Sequence, residues 1–416
     1  MNITCFLSLK HAITVIMKNN FVNLLKIFAG KIPGQLIIQI TNCCNGTCPQ
    51  CGMKKNAEIK RYILPTDVIK TLINQCSANG FDAISFTGGE PFIDNCRLLE
   101  LLDYAGKAKI PFIRTGTNGF MFLQSNTAQI IDFAKRLSLT KLRNFWISLD
   151  SADIKTHETM RGLPGVIAGI KIALPIFHAH GIYPAVNMGI NRNILGDTIH
   201  KLNGTGDKER FFNNFKTGFT VFFQKAIELG FTMANLCYPM SSNNGELENS
   251  AYGAISDDFI VNFSEEELGL VFKALMETIP IFRNKIRIFT PLSVLYAMSK
   301  KSDSLLFPCM GGINFFYTDS RNGHIYPCGF LGEKCLGEDL YSAISTRIRD
   351  KPHCMKCHWE CFRDPSQLFG IAHYIINHPI QVFIKKKIDP VMIKFWMEDL
   401  KYYLKHDFFN GRIPPK

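Results

Sequence analysis

The sequence predicts an α/β fold of repeated strand–helix units followed by a small cysteine-rich module. Three observations carry that prediction. Short apolar strands alternate with amphipathic helices along the first 300 residues, which argues for parallel βα units. Polar and cysteine-bearing motifs recur just after the strands, which in a parallel barrel gathers them on the rim where such folds place their chemistry. From Cys309 the composition changes to closely spaced cysteines and glycines.

The elements follow in order. Gln35 to Ile40 is a strand, and a helix runs from Pro65 to Ala78, stopped by Asn79-Gly80. Asp82 to Thr87 is the second strand, 97–108 a helix and Ile110 to Thr115 the third strand. A helix over 125–138 and a strand from Asn144 to Leu149 come next. Pro164 to His180, 207–229, 264–280 and 292–300 read as helices; Tyr183 to Ile190 and Phe231 to Cys237 read as strands five and six. The segment 239–260 is polar and too long for an ordinary barrel connection, as lids and binding loops are.

The chain of 416 residues is 46% hydrophobic and 20% charged, enough to bury a large core. Its 47 basic and 35 acidic residues give +12, but the basic residues are scattered and no nucleic-acid-binding motif accompanies them. A basic surface, with no nucleic-acid partner, is the expectation. Of 14 cysteines, nine fall in two groups, Cys43 to Cys51 and Cys309 to Cys361, with Cys335 a tenth inside the second group's span. That distribution suits metal or cluster binding in a reducing cytoplasm better than a disulfide scaffold.

Cys44, Cys48 and Cys51 stand in C-x3-C-x2-C spacing on a loop broken by Gly46 and Pro49. Zinc in a structural site takes four ligands, whereas a cubane held by three thiolates keeps one iron open for a ligand. Cys43, pointing to the opposite side of an extended segment, reads as a bystander. About forty residues on, Gly88-Gly89-Glu90-Pro91 follows the second strand. Paired glycines permit close backbone approach, and the carboxylate can accept from an ammonium group. Asn118, Ser148, Asp150 and Asn193 occupy equivalent positions after later strands, with His157 and Arg161 beyond the fourth.

The cysteine loop, the GGEP stretch and the Ser148-Leu149-Asp150 segment resemble the signature motifs of the radical S-adenosylmethionine (SAM) enzymes. Gln50 departs from the pattern, because the residue before the third cysteine is commonly aromatic in that family. The resemblance implies a partial (β/α)6 TIM-like barrel, a [4Fe–4S] cluster on Cys44, Cys48 and Cys51, and SAM as cofactor. It implies that Gly88, Gly89, Glu90 and Pro91 hold the SAM amino group, and that Ser148, Asp150 and Arg161 meet its carboxylate or ribose. Asn118 and Asn193 complete the expected cofactor contacts; no catalytic residue is assigned.

In the cysteine-rich region, Cys309 and Cys328 precede a C-x2-C-x3-C run of Cys354, Cys357 and Cys361, with Cys335 between. Gly323 suits a hairpin turn that brings Cys309 and Cys328 together. By spacing alone zinc is the simpler ligand. Alongside the first loop, the region resembles the SPASM or twitch extension of radical SAM enzymes. That implies one auxiliary [4Fe–4S] cluster on Cys309, Cys328, Cys354 and Cys357, with Cys361 or Cys335 as a substitute ligand or part of a second set.

The expected organisation is an N-terminal amphipathic segment (1–34), the barrel (35–305), the auxiliary module (306–365) and a helical tail (366–416). Both ends are expected to pack on the barrel, with a membrane surface the alternative. The implied activity is reductive cleavage of SAM and abstraction of a substrate hydrogen. A peptide or protein is the leading substrate class, a small or lipid-linked molecule the alternative, and flavodoxin or ferredoxin the kind of electron donor.

Overall fold

The computed structural model describes residues 34–55, 60–196, 207–239, 241, 250–300, 305–346, 354, 355, 357–377 and 389–415. The N-terminal segment expected to be amphipathic, and the basic run Lys385 to Lys387, lie outside the described residues.

One mostly parallel sheet organises the chain, with strand order β7-β6-β5-β4-β3-β2-β1-β8-β9. Strands β1 (Gly34–Thr41), β2 (Phe81–Gly88), β3 (Phe112–Thr117), β4 (Leu142–Ser148), β5 (Ala185–Gly189) and β6 (Met233–Cys237) are the six predicted units, each parallel to the next. The two-residue β7 (Arg287–Ile288) extends the β6 edge. On the other side β8 (Phe315–Thr318) pairs in parallel with β1, and β9 (Ile325–Tyr326) turns back antiparallel to it. Gly323, at φ +80°, makes that predicted hairpin turn possible. The order is that of an open (β/α)6 barrel whose β1 edge is extended by the cysteine-rich module.

The helices are α1 (Thr66–Ala78), α2 (Asn95–Lys107), α3 (Thr127–Leu139), α4 (Ile154–Arg161), α5 (Val166–Ala179), α6 (Lys208–Leu229), α7 (Glu265–Phe282), α8 (Leu292–Ser299), α9 (Leu340–Thr346), α10 (Glu360–Asn377) and α11 (Pro390–His406). Local chemistry starts several of them; α4 is not among the helices that the sequence predicts. Asp94, Asp153 and Asp207 cap α2, α4 and α6 by accepting backbone amides, and Asn126 with Gln129 and Ser264 with Glu267 form capping boxes on α3 and α7.

Strand β1 shows how the sheet sorts its side chains. Leu36, Ile38 and Ile40 join the main core under the helices, while Ile37 joins a second core with Cys309, Cys328, Tyr317 and Trp359. Period-two alternation thus gives one face to the helix layer and the other to the barrel interior. Polar side chains share that interior: Gln35 of β1 with Arg114, Asn187 and Asn235 of the other strands.

The described tail packs on the barrel, as expected. Asp399 of α11 is buried and accepts from Arg283 at 3.0 Å and from Ser293. Past α11, the Gly411 carbonyl accepts the Tyr183 amide and its amide donates to Arg143. No single helix among the described residues is long and apolar enough to cross a membrane.

Candidate radical SAM site

The cysteine loop leaves the C-terminal end of β1 and is held from three sides. Beneath it, Gly89 N donates to Thr41 O at 2.9 Å and Glu90 N to Cys43 O at 2.8 Å. A Cβ on Gly89 would stand 2.2 Å from Cys43 O, and one on Gly88 2.4 Å from Thr41 O. The paired glycines therefore serve first to let the β2 end pass against the cysteine loop. On the far side, Arg161 O accepts the Thr47 amide at 2.9 Å, and Asn118 Nδ2 donates to Asn45 Oδ1 at 2.9 Å.

The thiols turn inward from this frame. Gly46 N–H points at Cys44 Sγ, 3.3 Å away. Burial raises all three thiols, Cys48 to about 11 and Cys51 to about 12, with the Cys44 charge opposing Cys48 and both opposing Cys51. Such a set is stable as thiolates only with positive charge supplied among them. Among the described residues, no group of three or more His, Cys, Asp or Glu side chains is close enough to hold one metal ion. The separate iron corners of a cubane need no such point, each taking one thiolate.

Behind the loop sits a buried pair. Arg161 Nε donates to Asp150 Oδ2 at 2.7 Å, and Gln50 Nε2 donates to the same oxygen at 2.9 Å. Burial pushes Asp150 up, but the Arg161 charge, His157, the Arg161 hydrogen bond and the Gly189 amide together outweigh it, and the carboxyl lies below its ordinary value. His157, left as structural in the sequence reading, is buried, and its Nδ1 accepts the Asp150 amide at 3.0 Å.

Beside the loop opens a cavity of about 670 Å³, lined by Thr47, Pro49, Thr156, Met160 and Asn193 among others. Asn193 Oδ1, at that wall, and Gln50 Oε1 are buried acceptors with no partner. SAM offers the missing donors in its ammonium, ribose hydroxyls and adenine amine, so the residues fit that cofactor. Gln50, where the family commonly has an aromatic, here links the loop to Asp150 and leaves an acceptor open.

Glu90 behaves differently from the expectation of a carboxylate open to an ammonium group. It is 1% exposed; Oε1 accepts the Phe92 amide at 3.0 Å and Oε2 the Asn118 amide at 2.7 Å. Burial raises its pKa to about 7 against these amides. Its side chain ties the ends of β2 and β3 together, next to buried Pro91. Ser148 ends β4 at the same level.

Cys309 and Cys354 face each other across a bridge, with Cys309 N donating to Cys354 O at 2.9 Å. The charge of Cys357 acts on Cys328, and those of Cys309 and Cys354 on Cys357, behind the burial that raises both thiols. Arg363, 1% exposed, donates to the carbonyls of Cys357 and Phe307, and its charge reaches Cys309. A buried guanidinium bonded to carbonyls calls for negative charge nearby, which these four cysteines would supply as the thiolate ligands of a cluster. Cys361 does not join them. Its thiol donates to Glu360 Oε1 at 3.1 Å, and Cys237 Sγ of β6 reaches the same oxygen at 3.4 Å. Cys335 is exposed and apart. Sequence reasoning missed Glu360, Arg363 and Thr47, whose roles exist only through tertiary contacts.

A family model for the Radical SAM superfamily matches residues 38–210. The chain is 23% identical to an AdoMet-dependent heme synthase of Methanosarcina barkeri over 81% of this chain and 87% of that protein. It is 24% identical to the subtilosin biosynthesis protein AlbA of Bacillus subtilis over 49% of this chain, spanning only 42% of AlbA. In fold it matches anSMEcpe with bound AdoMet (TM-score 0.51, 15% identity, 89% of this chain and 99% of that one). Streptococcus suis SuiB bound to its precursor peptide SuiA matches similarly (TM-score 0.50, 17% identity, 78% of this chain and 67% of that one). Residues 38–210 are thus a radical SAM domain, the part of the chain that the family model covers.

Proposed function

We propose that this enzyme cleaves SAM reductively at a [4Fe–4S] cluster on Cys44, Cys48 and Cys51 and uses the product to take a hydrogen atom from a peptide or protein substrate. The observation that carries the reading is the buried three-thiol loop backed by the Asp150–Arg161 pair and flanked by the unpartnered acceptors of Gln50 and Asn193. The cluster supplies one electron and an open iron. The chain supplies position. Arg161 presents its remaining guanidinium donors to the methionyl carboxylate, a bidentate match. Asn193 and Gln50 accept from hydroxyl or amine donors, with Ser148 and Asn118 on the same rim and the backbone of Gly88 to Pro91 bounding the amino end. A second [4Fe–4S] cluster sits on Cys309, Cys328, Cys354 and Cys357, and electrons enter from a flavodoxin or ferredoxin.

The peptide substrate is supported by the peptide-bound state of SuiB and by the named role of AlbA in bacteriocin biosynthesis. A second reading, a small carboxylate-bearing molecule of cofactor biosynthesis, is favoured by the extended match to a heme synthase. The polar interior, with Arg114 among Gln35 and Glu360, suits a carboxylate there.

Anaerobic reconstitution with iron and sulfide tests the core of this reading. About eight irons per chain, and 5′-deoxyadenosine formed from SAM and a strong reductant but not by Cys44→Ala, are expected. A fully loaded protein that leaves SAM intact would refute it. Mass analysis after incubation with peptides encoded beside the gene, or with porphyrin carboxylates, separates the substrate readings.

A further inference from the structure

The two cysteine groups are joined by one short piece of chain. Ser256 Oγ donates to Pro49 O at 3.1 Å, inside the first loop. Gly52, next to Cys51, donates its amide to Ala254 O at 3.2 Å. Two residues back, Tyr252 donates its amide to Gly329 O at 2.8 Å, and Gly329 follows Cys328. Cys51 and Cys328 are thus linked by two hydrogen bonds and the backbone from 252 to 254.

Side chains reinforce the link. The Tyr252 ring stacks on Trp359 with centroids 6.0 Å apart and planes at 22°, and lies 5.6 Å from Tyr317. Trp359 is two residues from Cys357 and 5% exposed. The Tyr252 hydroxyl is hydrogen-bonded to the Thr87 side chain and stands within electrostatic reach of Cys51. The approach is close at both ends. A Cβ on Gly52 would stand 1.9 Å from Ile255 O, and one on Gly329 2.7 Å from Tyr252 Cβ and 3.3 Å from the Trp359 ring.

We infer that residues 252–254, with the stacked rings of Tyr252 and Trp359, are the electronic bridge between the two cysteine-held centres. This rests on the proposed pair of clusters and adds the route between them. One electron leaves the reduced centre, which is oxidised by one, and enters the other, which is reduced by one. No bond forms or breaks and no proton moves. Neither Tyr252 nor Trp359 is oxidised; they supply orbital overlap across a gap that would otherwise hold water or void.

The test is photoreduction of the iron-loaded full chain by a deazaflavin, in an amount sufficient for one electron per protein. Redistribution of that electron between the two centres is followed by freeze-quench electron paramagnetic resonance, and iron is counted in each sample. Tyr252→Leu is expected to slow redistribution by an order of magnitude or more, and Tyr252→Phe, which keeps the ring and the amide, to leave it near the wild-type rate. Trp359→Leu gives an independent break should Tyr252→Leu lose its fold. Slowing in a leucine variant with full iron supports the bridge; full iron with unchanged redistribution overturns it. A wild-type chain that binds only half of the expected iron removes the second centre, and with it both the two-cluster reading and the bridge, a failure recognisable from the iron count alone.

Discussion

Arg161 binds the Asp150 carboxylate through Nε at 2.7 Å while its own carbonyl receives the Thr47 amide at 2.9 Å. One residue thus holds both the charge behind the cysteine loop and the loop itself. The position follows from α4, which is capped at its start by Asp153 and ended at Gly162 with φ +64°. A side chain at Gly162 would collide with Thr47, whose Oγ1 would stand 2.2 Å from the new Cβ.

Removing Arg161 leaves Asp150 buried and uncompensated. Arg161→Ala is expected to cost about 3–5 kcal/mol, as broken buried pairs do, and to weaken SAM binding as well. The pH dependence carries a sign. Asp150 titrates below its unfolded value in the folded chain, so its stabilisation is present above about pH 4 and is lost as pH falls further. Chemical denaturation between neutral and acidic pH checks both. Asp150→Asn should flatten the acid loss, and an unchanged acid limb would count against the pair.

Glu90 has the opposite sign. Its folded pKa of about 7 lies above the ordinary 4.5, so the folded state holds the proton more tightly than the unfolded one. Its contribution is full below about pH 4.5 and declines as pH rises toward 7. Glu90→Gln removes that slope. It also sets an amide nitrogen against the Phe92 or Asn118 amide, so about 1–3 kcal/mol is expected to be lost at all pH values. Denaturation midpoints read across this window in both proteins decide the matter.

The close passage of β2 under the cysteine loop makes Gly89 the least replaceable residue of the GGEP stretch. Gly89→Ala must displace Cys43 O, and overpacking of this kind costs about 1–3 kcal/mol. Iron bound per chain after reconstitution should fall with it, while Gly80→Ala, facing open space at φ +66°, should lose stability without losing iron.

The barrel was legible because its strands and helices repeat local signals: β-branched runs, Asp, Asn and Ser caps, and glycines at helix ends. The cysteine loop was legible for the same reason, since its ligands are close in sequence. What escaped was set by distant contacts. Glu90 reads as a free carboxylate until the Phe92 and Asn118 amides close on it. Gln50 reads as a defect in a motif until Asp150 appears opposite it, a hundred residues on. Tyr252 lies in a stretch whose polarity signals only a loop, and its stacking on Trp359 is a fact of tertiary structure.

Cys361 illustrates the limit of spacing arguments and offers the sharpest division among the cysteines. Sequence spacing enrols it with Cys354 and Cys357, but α10 begins at Glu360 and carries Cys361 round to the barrel interior. There its thiol shares the Glu360 carboxylate with Cys237. Cys309→Ser, Cys328→Ser, Cys354→Ser and Cys357→Ser are each expected to lower bound iron by about four atoms, one cubane, and to leave the SAM-cleaving centre loaded. Cys361→Ser is expected to keep the full count, since a hydroxyl can still donate to Glu360. Iron and sulfide analysis of the five proteins, reconstituted side by side, settles the ligand set. Loss of iron in Cys361→Ser equal to that in Cys357→Ser would return Cys361 to the cluster and require the first turn of α10 to rearrange when iron binds.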